Sequence, residues 1–398
     1  MAKKKFKKPN IILWKLFYWI SKFLCKFKLK LRITNNELKK VKGPYVVIAN
    51  HQSAIDFIPM CVAVKRRAHI VISKSFYESL SVQPLIRAVG AIPKNQFQTS
   101  IPDMKKMKAV LDNDMPLIIY PAGLMTESGI HAPVPSATGK TLKWFGKDVY
   151  FADIRGSYFT KPKWGQGIRK GRITLSVTKL IDSEGLKRVT EEELQKIVEE
   201  KLSFDAYEDQ LKNKIPFKNG DNVEGFEYVL YKCPKCHKDH TINVVNKNQM
   251  VCECGYNVTF DKCGLMNGDN LIFDTPSNWY RSIEKKQFDV VFNTPNYELS
   301  DEAEIHKVNL KKHKFESVGN AIVKLKQDGF SINGTIKGEA FDKFISTKHI
   351  QILPFKPGKF LEIQDGNEIY RILLKKNRDV TKWLITLKAF YELNNPKK

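Results

Sequence analysis

From residue 44 onward the chain alternates short apolar runs with longer amphipathic stretches. The runs at 45–49, 69–73, 90–93, 117–120 and 149–153 have the length of buried strands. Between them, 54–64, 76–88, 103–112 and 140–146 predict helices. The stretch 103–112 is the best marked, with Pro102 at its first turn, Asp103 behind it, and Met104, Met107 and Leu111 on one face. Strands alternating with helices of this length predict an α/β layer, a largely parallel or mixed sheet with helices on both faces. Ligands of such sheets gather where loops leave the carboxyl ends of strands. His51 and the Pro121-Ala122-Gly123 loop both follow predicted strands and hold positions of that kind. Residues 156–180 continue as strand and turn, and Thr190 with Glu193 forms a capping-box start for a helix over 191–202.

Past residue 204 the pattern changes. Residues 205–230 read as a connector of helix and loop, and 231–265 hold five of the seven cysteines. Residues 270–398 read as short alternating strands, among them 321–325, 360–363 and 370–374, closing on a helix-like stretch from Val380 to Leu393. Strands capped by one helix resemble a PH or GRAM-type module, with no diagnostic motif; an unrelated small β-domain is the alternative. The chain thus divides into a basic segment 1–42, an α/β domain 43–204, the connector 205–230, a cysteine module 231–265 and a β-rich domain 270–398.

Charge sharpens the reading of the first segment. The formal net charge is +25, and residues 1–42 contain thirteen lysines and Arg32 against one acid, Glu37. Such an excess predicts an anionic partner, a membrane surface or a nucleic acid. The same segment carries Ile11, Ile12, Leu13, Trp14, Leu16, Phe17, Trp19, Ile20, Phe23, Leu24 and Phe27. On a helix Lys15, Lys22 and Lys26 share one narrow face and apolar residues fill the rest. Lysines on such a stripe snorkel toward anionic headgroups, so the segment reads as a monotopic interfacial helix. The plainer alternative is a helix packed on the α/β domain with solvated lysines. No stretch reaches the roughly 18–20 uncharged apolar residues of a spanning helix. A secretory signal is disfavoured because Lys15 and Lys22 interrupt the apolar region and no small-residue cleavage site follows. The expected location is the cytoplasmic face of a membrane, held peripherally.

The residues with the most direct chemistry are Asn50-His51-Gln52-Ser53-Ala54-Ile55-Asp56, directly after the apolar run Tyr45–Ala49. A neutral imidazole oriented by a carboxylate removes the proton of an attacking hydroxyl, and the carboxylate fixes the tautomer. Two residues five apart on one helix point roughly 140° apart and cannot meet. They meet if His51 lies on the turn and Asp56 in the first helical turn, with Ser53 as N-cap. Ser53-x-x-Asp56 is also a capping-box pattern in which Asp56 serves backbone donors, and the two roles are compatible.

The string Asn-His-Gln-Ser-x-x-Asp after a strand resembles the signature of the glycerolipid acyltransferases, the family of 1-acylglycerol-3-phosphate acyltransferase. Gly90-Ala91-Ile92-Pro93 is similar to the family's second block, and Tyr120-Pro121-Ala122-Gly123-Leu124-Met125-Thr126 to its aromatic-Pro-Glu-Gly-Thr-Arg-Ser loop. The resemblance covers roughly residues 40–180. It implies that His51 is the general base and Asp56 its orienting partner, with Asn50, Ser53, Lys74, Lys94, Gly123 and Arg155 around the substrate. It further implies an acyl donor of the acyl-acyl carrier protein, acyl phosphate or acyl-CoA type, a lysophospholipid acceptor and no catalytic metal. The chain departs from the pattern where Ala122 replaces Glu, Met125 replaces Arg and Gln96 stands at the expected phosphate-binding Arg. Lys74, Lys94, Lys140 and Arg155 are the candidate replacement cations, since a glycerol phosphate needs fixed positive charge. For each, the alternative is a solvated surface cation.

Cys233-Pro234-Lys235-Cys236 and Cys252-Glu253-Cys254-Gly255 are spaced as the two knuckles of a zinc ribbon. Cys263, His237 and His240 are alternative ligands. Four protein ligands make the expected Zn2+ structural, and clustered thiols without a secretory signal predict metal in a reducing compartment over disulfides. Three functions follow: a membrane-surface acyltransferase, a lipid-binding protein that keeps the fold without catalysis, and a zinc-ribbon nucleic-acid-binding protein. The dense apolar stripe among the N-terminal lysines argues against the last, because nucleic acid does not require it.

Overall fold

The computed structural model describes residues 7–95, 101–366 and 368–396. Gln96 and the first six residues of the basic segment lie outside them. The chain forms two compact units, residues 1–162 with 167–220, and residues 163–166 with 221–398.

In the first unit the elements follow in the order α1 (Ile11–Phe27), β1 (Arg32–Asn36), β2 (Val46–Ala49), α2 (Phe57–Val64), β3 (His69–Ser73), α3 (Lys74–Glu78), α4 (Gln83–Ala88), β4 (Ala91–Lys94), α5 (Ile101–Asp112), β5 (Leu117–Ile119), α6 (Thr138–Phe145), β6 (Val149–Arg155), α7 (Ser157–Thr160), β7 (Thr174–Ile181), α8 (Ser183–Arg188), α9 (Glu191–Leu202) and α10 (Ala206–Asn213). The seven strands form one sheet in the order β1-β7-β6-β2-β5-β3-β4. Every neighbouring pair is parallel except β6 with β7, so the sheet is mixed. Alternation along β2 serves two cores. Val47 and Ala49 pack with Cys25, Leu29, Met60 and Ala63 on the α1 and α2 side. Val46 and Ile48 pack with Val110 of α5, Phe145 of α6 and Val198 of α9 on the other. The capping box of α9 forms as expected: Thr190 Oγ1 accepts from the Glu193 amide at 3.0 Å and Glu193 Oε2 from the Thr190 amide at 2.8 Å.

Several boundaries differ from the sequence expectation. The helix expected over 76–88 is two short ones, α3 and α4, because Pro84 lacks an amide hydrogen and is accommodated only in a first turn. β1, within the basic segment 1–42, pairs in parallel with β7 and so belongs to the sheet. α10, expected in the connector, belongs to the first unit: Ala206 N donates to Gly129 O at 2.8 Å. α1 presents Trp14, Ser21 and Cys25 to the core, leaving Ile12 74%, Trp19 60% and Phe23 61% exposed. Among the described residues no helix is long and apolar enough to cross a membrane.

The second unit contains β8 (Ile242–Val245), β9 (Gln249–Cys252), β10 (Asn257–Phe260) and β11 (Met266–Asn267) in one four-stranded antiparallel sheet. α11 (Pro276–Asn293) follows, then β12 (Leu299–Asn309), β13 (Lys314–Leu325), β14 (Gly329–Ile336), β15 (Glu339–Ser346), β16 (Phe355–Lys356), β17 (Phe360–Asp365), β18 (Glu368–Leu374) and α12 (Val380–Asn394). The last seven strands form an antiparallel sheet in the order β15-β14-β13-β12-β18-β17-β16. α12 lies where the helix-like stretch was expected. α11 was expected as strand material; Thr275, whose hydroxyl accepts from the Asn278 amide, and Pro276 at the first position start it, and Trp279, Tyr280, Ile283, Gln287 and Val291 form its buried stripe.

Candidate active site

The mixed sheet delivers polar residues to one edge. β2, β5, β3 and β4 run parallel, so their carboxyl ends carry His51, Tyr120, Lys74 and Lys94 to the same side of the unit. The loop after β2 is bound to its neighbours by both polar ends of Asn50: its amide Nδ2 donates to Ile154 O and its Oδ1 accepts from Ile154 N, each at 2.8 Å. Gln52 Oε1 accepts from the Ser157 hydroxyl at 3.3 Å and the Tyr158 amide at 3.2 Å. The Ser53 hydroxyl donates to Lys161 O at 2.8 Å, and the Thr126 amide donates to His51 O at 3.3 Å. Six hydrogen bonds, made by four consecutive residues, therefore fix the loop that carries His51.

Within it, His51 Nδ1 lies 2.8 Å from Asp56 Oδ2. The same carboxylate oxygen accepts the amides of Gln52 at 2.7 Å and Ser53 at 2.9 Å. Asp56 has no exposed side-chain surface, while that of His51 is 20% exposed. A buried carboxylate is tolerated when hydrogen bonds replace water, and three donors do so here. The expected helix start needs correction. Ser53 does not cap α2, because its hydroxyl is committed to Lys161; residues 53–56 form a turn closed by Asp56 N donating to Ser53 O at 3.1 Å, and Asp56 precedes the first helical residue, Phe57. Asp56 thus serves backbone donors and His51 together. With Nδ1–H held by the carboxylate, Nε2 is left with its lone pair, able to take a proton.

Tyr120, at the end of β5, stacks on His51 with ring centroids 4.4 Å apart and planes inclined by 27°. Burial, and then the nearby Asp56 charge, push the Tyr120 hydroxyl well above its usual value, so it stays protonated. Among the described residues neither that hydroxyl nor Asp56 Oδ1 has a hydrogen-bond partner. Tyr120 was visible in the sequence only as the aromatic residue before Pro121; the cue to its place is that two parallel strands end side by side, Ile48 opposite Ile119. Gly123, with φ +67°, closes the turn by donating its amide to Tyr120 O at 2.9 Å.

The candidate cations fall into different settings. Lys94 ends β4 with its ammonium donating to Asn95 O at 3.1 Å, and burial lowers its proton affinity, opposed by Asp103. Lys74 opens α3 and lies 3.7 Å from Glu78. Arg155 is engaged by two carboxylates, Asp153 at 2.8 Å and Asp209 at 2.5 Å, and Lys140 by Glu191 at 3.8 Å. Of the residues expected around a substrate, Asn50, Ser53 and Arg155 each have the protein partners named above.

In the second unit the thiols of Cys233, Cys236, Cys252 and Cys254 lie within 4.8 Å of one another, a group able to hold a metal ion. Cys233 and Cys254 are 3.7 Å apart, as are Cys236 and Cys252. Tetrahedral thiolates at ~2.3 Å from zinc are separated by roughly 3.8 Å, so the donor set fits that ion. Gly255, with φ +84°, allows the second knuckle to turn. Cys263, His237 and His240 are not part of this group; His240 Nε2 is 2.5 Å from Asp379 Oδ1 and His237 lies against Lys286.

Residues 30–160 match the model of a family described as Acyltransferase. No curated protein matches the chain. Among solved structures it is similar to the crystal structure of the 1-acyl-sn-glycerophosphate (LPA) acyltransferase, PlsC, from Thermotoga maritima, at 18% identity and a TM-score of 0.42, over 50% of this chain and 80% of that one. It is over residues 30–160, which include His51, Asp56 and Tyr120, that this chain is similar to the acyltransferases.

Proposed function

We propose that the protein is an O-acyltransferase that esterifies the free hydroxyl of a lysophospholipid at an anionic membrane surface, most simply converting 1-acyl-sn-glycerol 3-phosphate to phosphatidate. The observation that carries this reading is the 2.8 Å contact between His51 Nδ1 and the buried Asp56 carboxylate. Nε2 of His51 takes the acceptor's hydroxyl proton as its oxygen attacks the donor's acyl carbon. With a thioester donor, the tetrahedral intermediate collapses with cleavage of the C–S bond, and the imidazolium returns the proton to the leaving thiolate. Asp56 holds the tautomer and balances the imidazolium charge. The hydroxyl of the acceptor is itself the nucleophile, so no acyl-enzyme is required. Lys74 and Lys94, at the ends of β3 and β4, are the cations assigned to the acceptor's phosphate, and Gly123 gives the backbone room beside it.

Membrane association is supported by α1, whose exposed Ile12, Trp19 and Phe23 lie among lysines, and the face assigned to it in this reading is the cytoplasmic one. In this reading the four cysteines hold a structural zinc, and the seven-stranded sheet with α12 is a PH or GRAM-like module. The test is acyl transfer from acyl carrier protein thioester, coenzyme A thioester and acyl phosphate to a panel of lysolipids in anionic vesicles, with wild type and His51→Ala compared. Equal rates for the two proteins sink the mechanism. No transfer by either, with vesicle binding retained, favours a lipid-binding protein that keeps the fold without catalysis.

A further inference from the structure

The bond from His51 Nδ1 to Asp56 fixes one edge of the imidazole, but a ring held at one edge still swings about the line of that bond. Removing the swing requires a contact on the ring's face. Tyr120 supplies one, at 4.4 Å and 27°. It is itself anchored: it continues β5, whose three residues pair with Val46, Val47 and Ile48 of β2, its carbonyl accepts from Gly123 N, and its ring packs against the core beneath β2. The loop that follows is tied back to His51 O by the Thr126 amide. We propose that Tyr120 is a positioning residue that clamps the His51 imidazole by its ring face, directing Nε2 away from Asp56 and stabilising the imidazolium formed during turnover. Its functional consequence rests on the acyl-transfer reading; the clamp itself does not.

The ring performs this role. The hydroxyl is buried with no hydrogen-bond partner among the described residues, so the contact with His51 is made by the ring. An aromatic face beside a cation contributes a rate effect of roughly three- to thirtyfold. The test compares Tyr120→Phe, which keeps the face, with Tyr120→Leu and Tyr120→Met, which remove it; Met, being unbranched, fills the space if the Leu variant fails to fold. In the vesicle assay the Leu and Met variants are expected to lose roughly three- to thirtyfold in kcat with KM nearly unchanged, while Phe retains most of the wild-type kcat.

The second readout needs no activity. In labelled full-length protein, the carbon-bound ring protons of His51, assigned by their disappearance in His51→Ala, are shifted upfield by the stacked ring. The shift persists in Phe and disappears in Leu and Met. Wild-type kcat in a folded Leu or Met variant, a Phe variant as slow as they are, or unshifted His51 protons in wild type overturns the clamp. A wild type that transfers no acyl group yet displays the upfield shift refutes the acyl-transfer reading and leaves the clamp standing.

Discussion

The His51 loop and the four-cysteine cluster each gather polar side chains into a few ångströms, and they do so by opposite means. The loop is held by protein alone. Asp56 gathers His51 and two amides, Asn50 binds Ile154 from 104 positions away, and Tyr120 arrives on a separate strand. The cysteines come from two knuckles, Cys233 and Cys236 ahead of β8 and Cys252 and Cys254 at the end of β9 and just past it, and their four thiols form a group able to hold a metal ion. The first site is preorganised by many distant contacts, each modest. The second is local in sequence, and its four donors are all thiols. A single substitution is therefore expected to erode the first by degrees, and withdrawal of the proposed ion to disrupt the second at once.

The largest expected effect breaks the comparison at the cysteines. Chelation of metal, or Cys252→Ser, removes stabilisation on the order of 10 kcal/mol from the cysteine module. Thermal scans are expected to reveal early unfolding confined to the second unit, with thiol titration rising by four on chelation and by three in Cys252→Ser; an unchanged melting profile refutes a bound structural metal. Next is His51→Ala, expected to lower acyl transfer roughly 10²–10⁴-fold with folding intact, as circular dichroism would verify.

A third prediction concerns pH. Burial pushes His69 on β3 down to about 4 from 6.5, partly opposed by its bond to Gly90 O. Above pH 6.5 the ring is neutral in both folded and unfolded chains and contributes no pH dependence. As pH falls toward 4 the unfolded chain binds a proton that the folded chain refuses, so stability drops by about 3 kcal/mol across that window. His69→Gln flattens this slope in urea titrations; an equally steep slope in the variant refutes the assignment. The smallest effect is Asn50→Ala, which leaves the Ile154 amide and carbonyl without side-chain partners and lowers stability by about 1–3 kcal/mol. Its urea midpoint measures the loss, and a variant as stable as wild type would show that the loop is held without the Ile154 tie.

Much of this molecule was legible residue by residue. His51 and Asp56 announced themselves because the chemistry needs those two groups close together, and a turn brings residues five apart within reach. The cysteine knuckles and the Thr190–Glu193 box were legible for the same reason: every participant lies within one or two turns of chain. Where the outcome depended on competition, the sequence misled. Ser53 had the right chemistry for an N-cap, and the carbonyl of Lys161 took its hydroxyl instead. The run 76–88 had helical spacing, and Pro84 divided it.

The sequence by itself determined the strand–helix alternation, the His–Asp pair and the four-thiol set, because periodicity and short spacing are local properties. Only the tertiary structure decided that β2 lies between β5 and β6. That neighbourhood brings Ile154 to Asn50 and Tyr120 to the face of His51. Strand order follows from how two buried faces are divided among helices far apart in the chain, and no local pattern encodes that division.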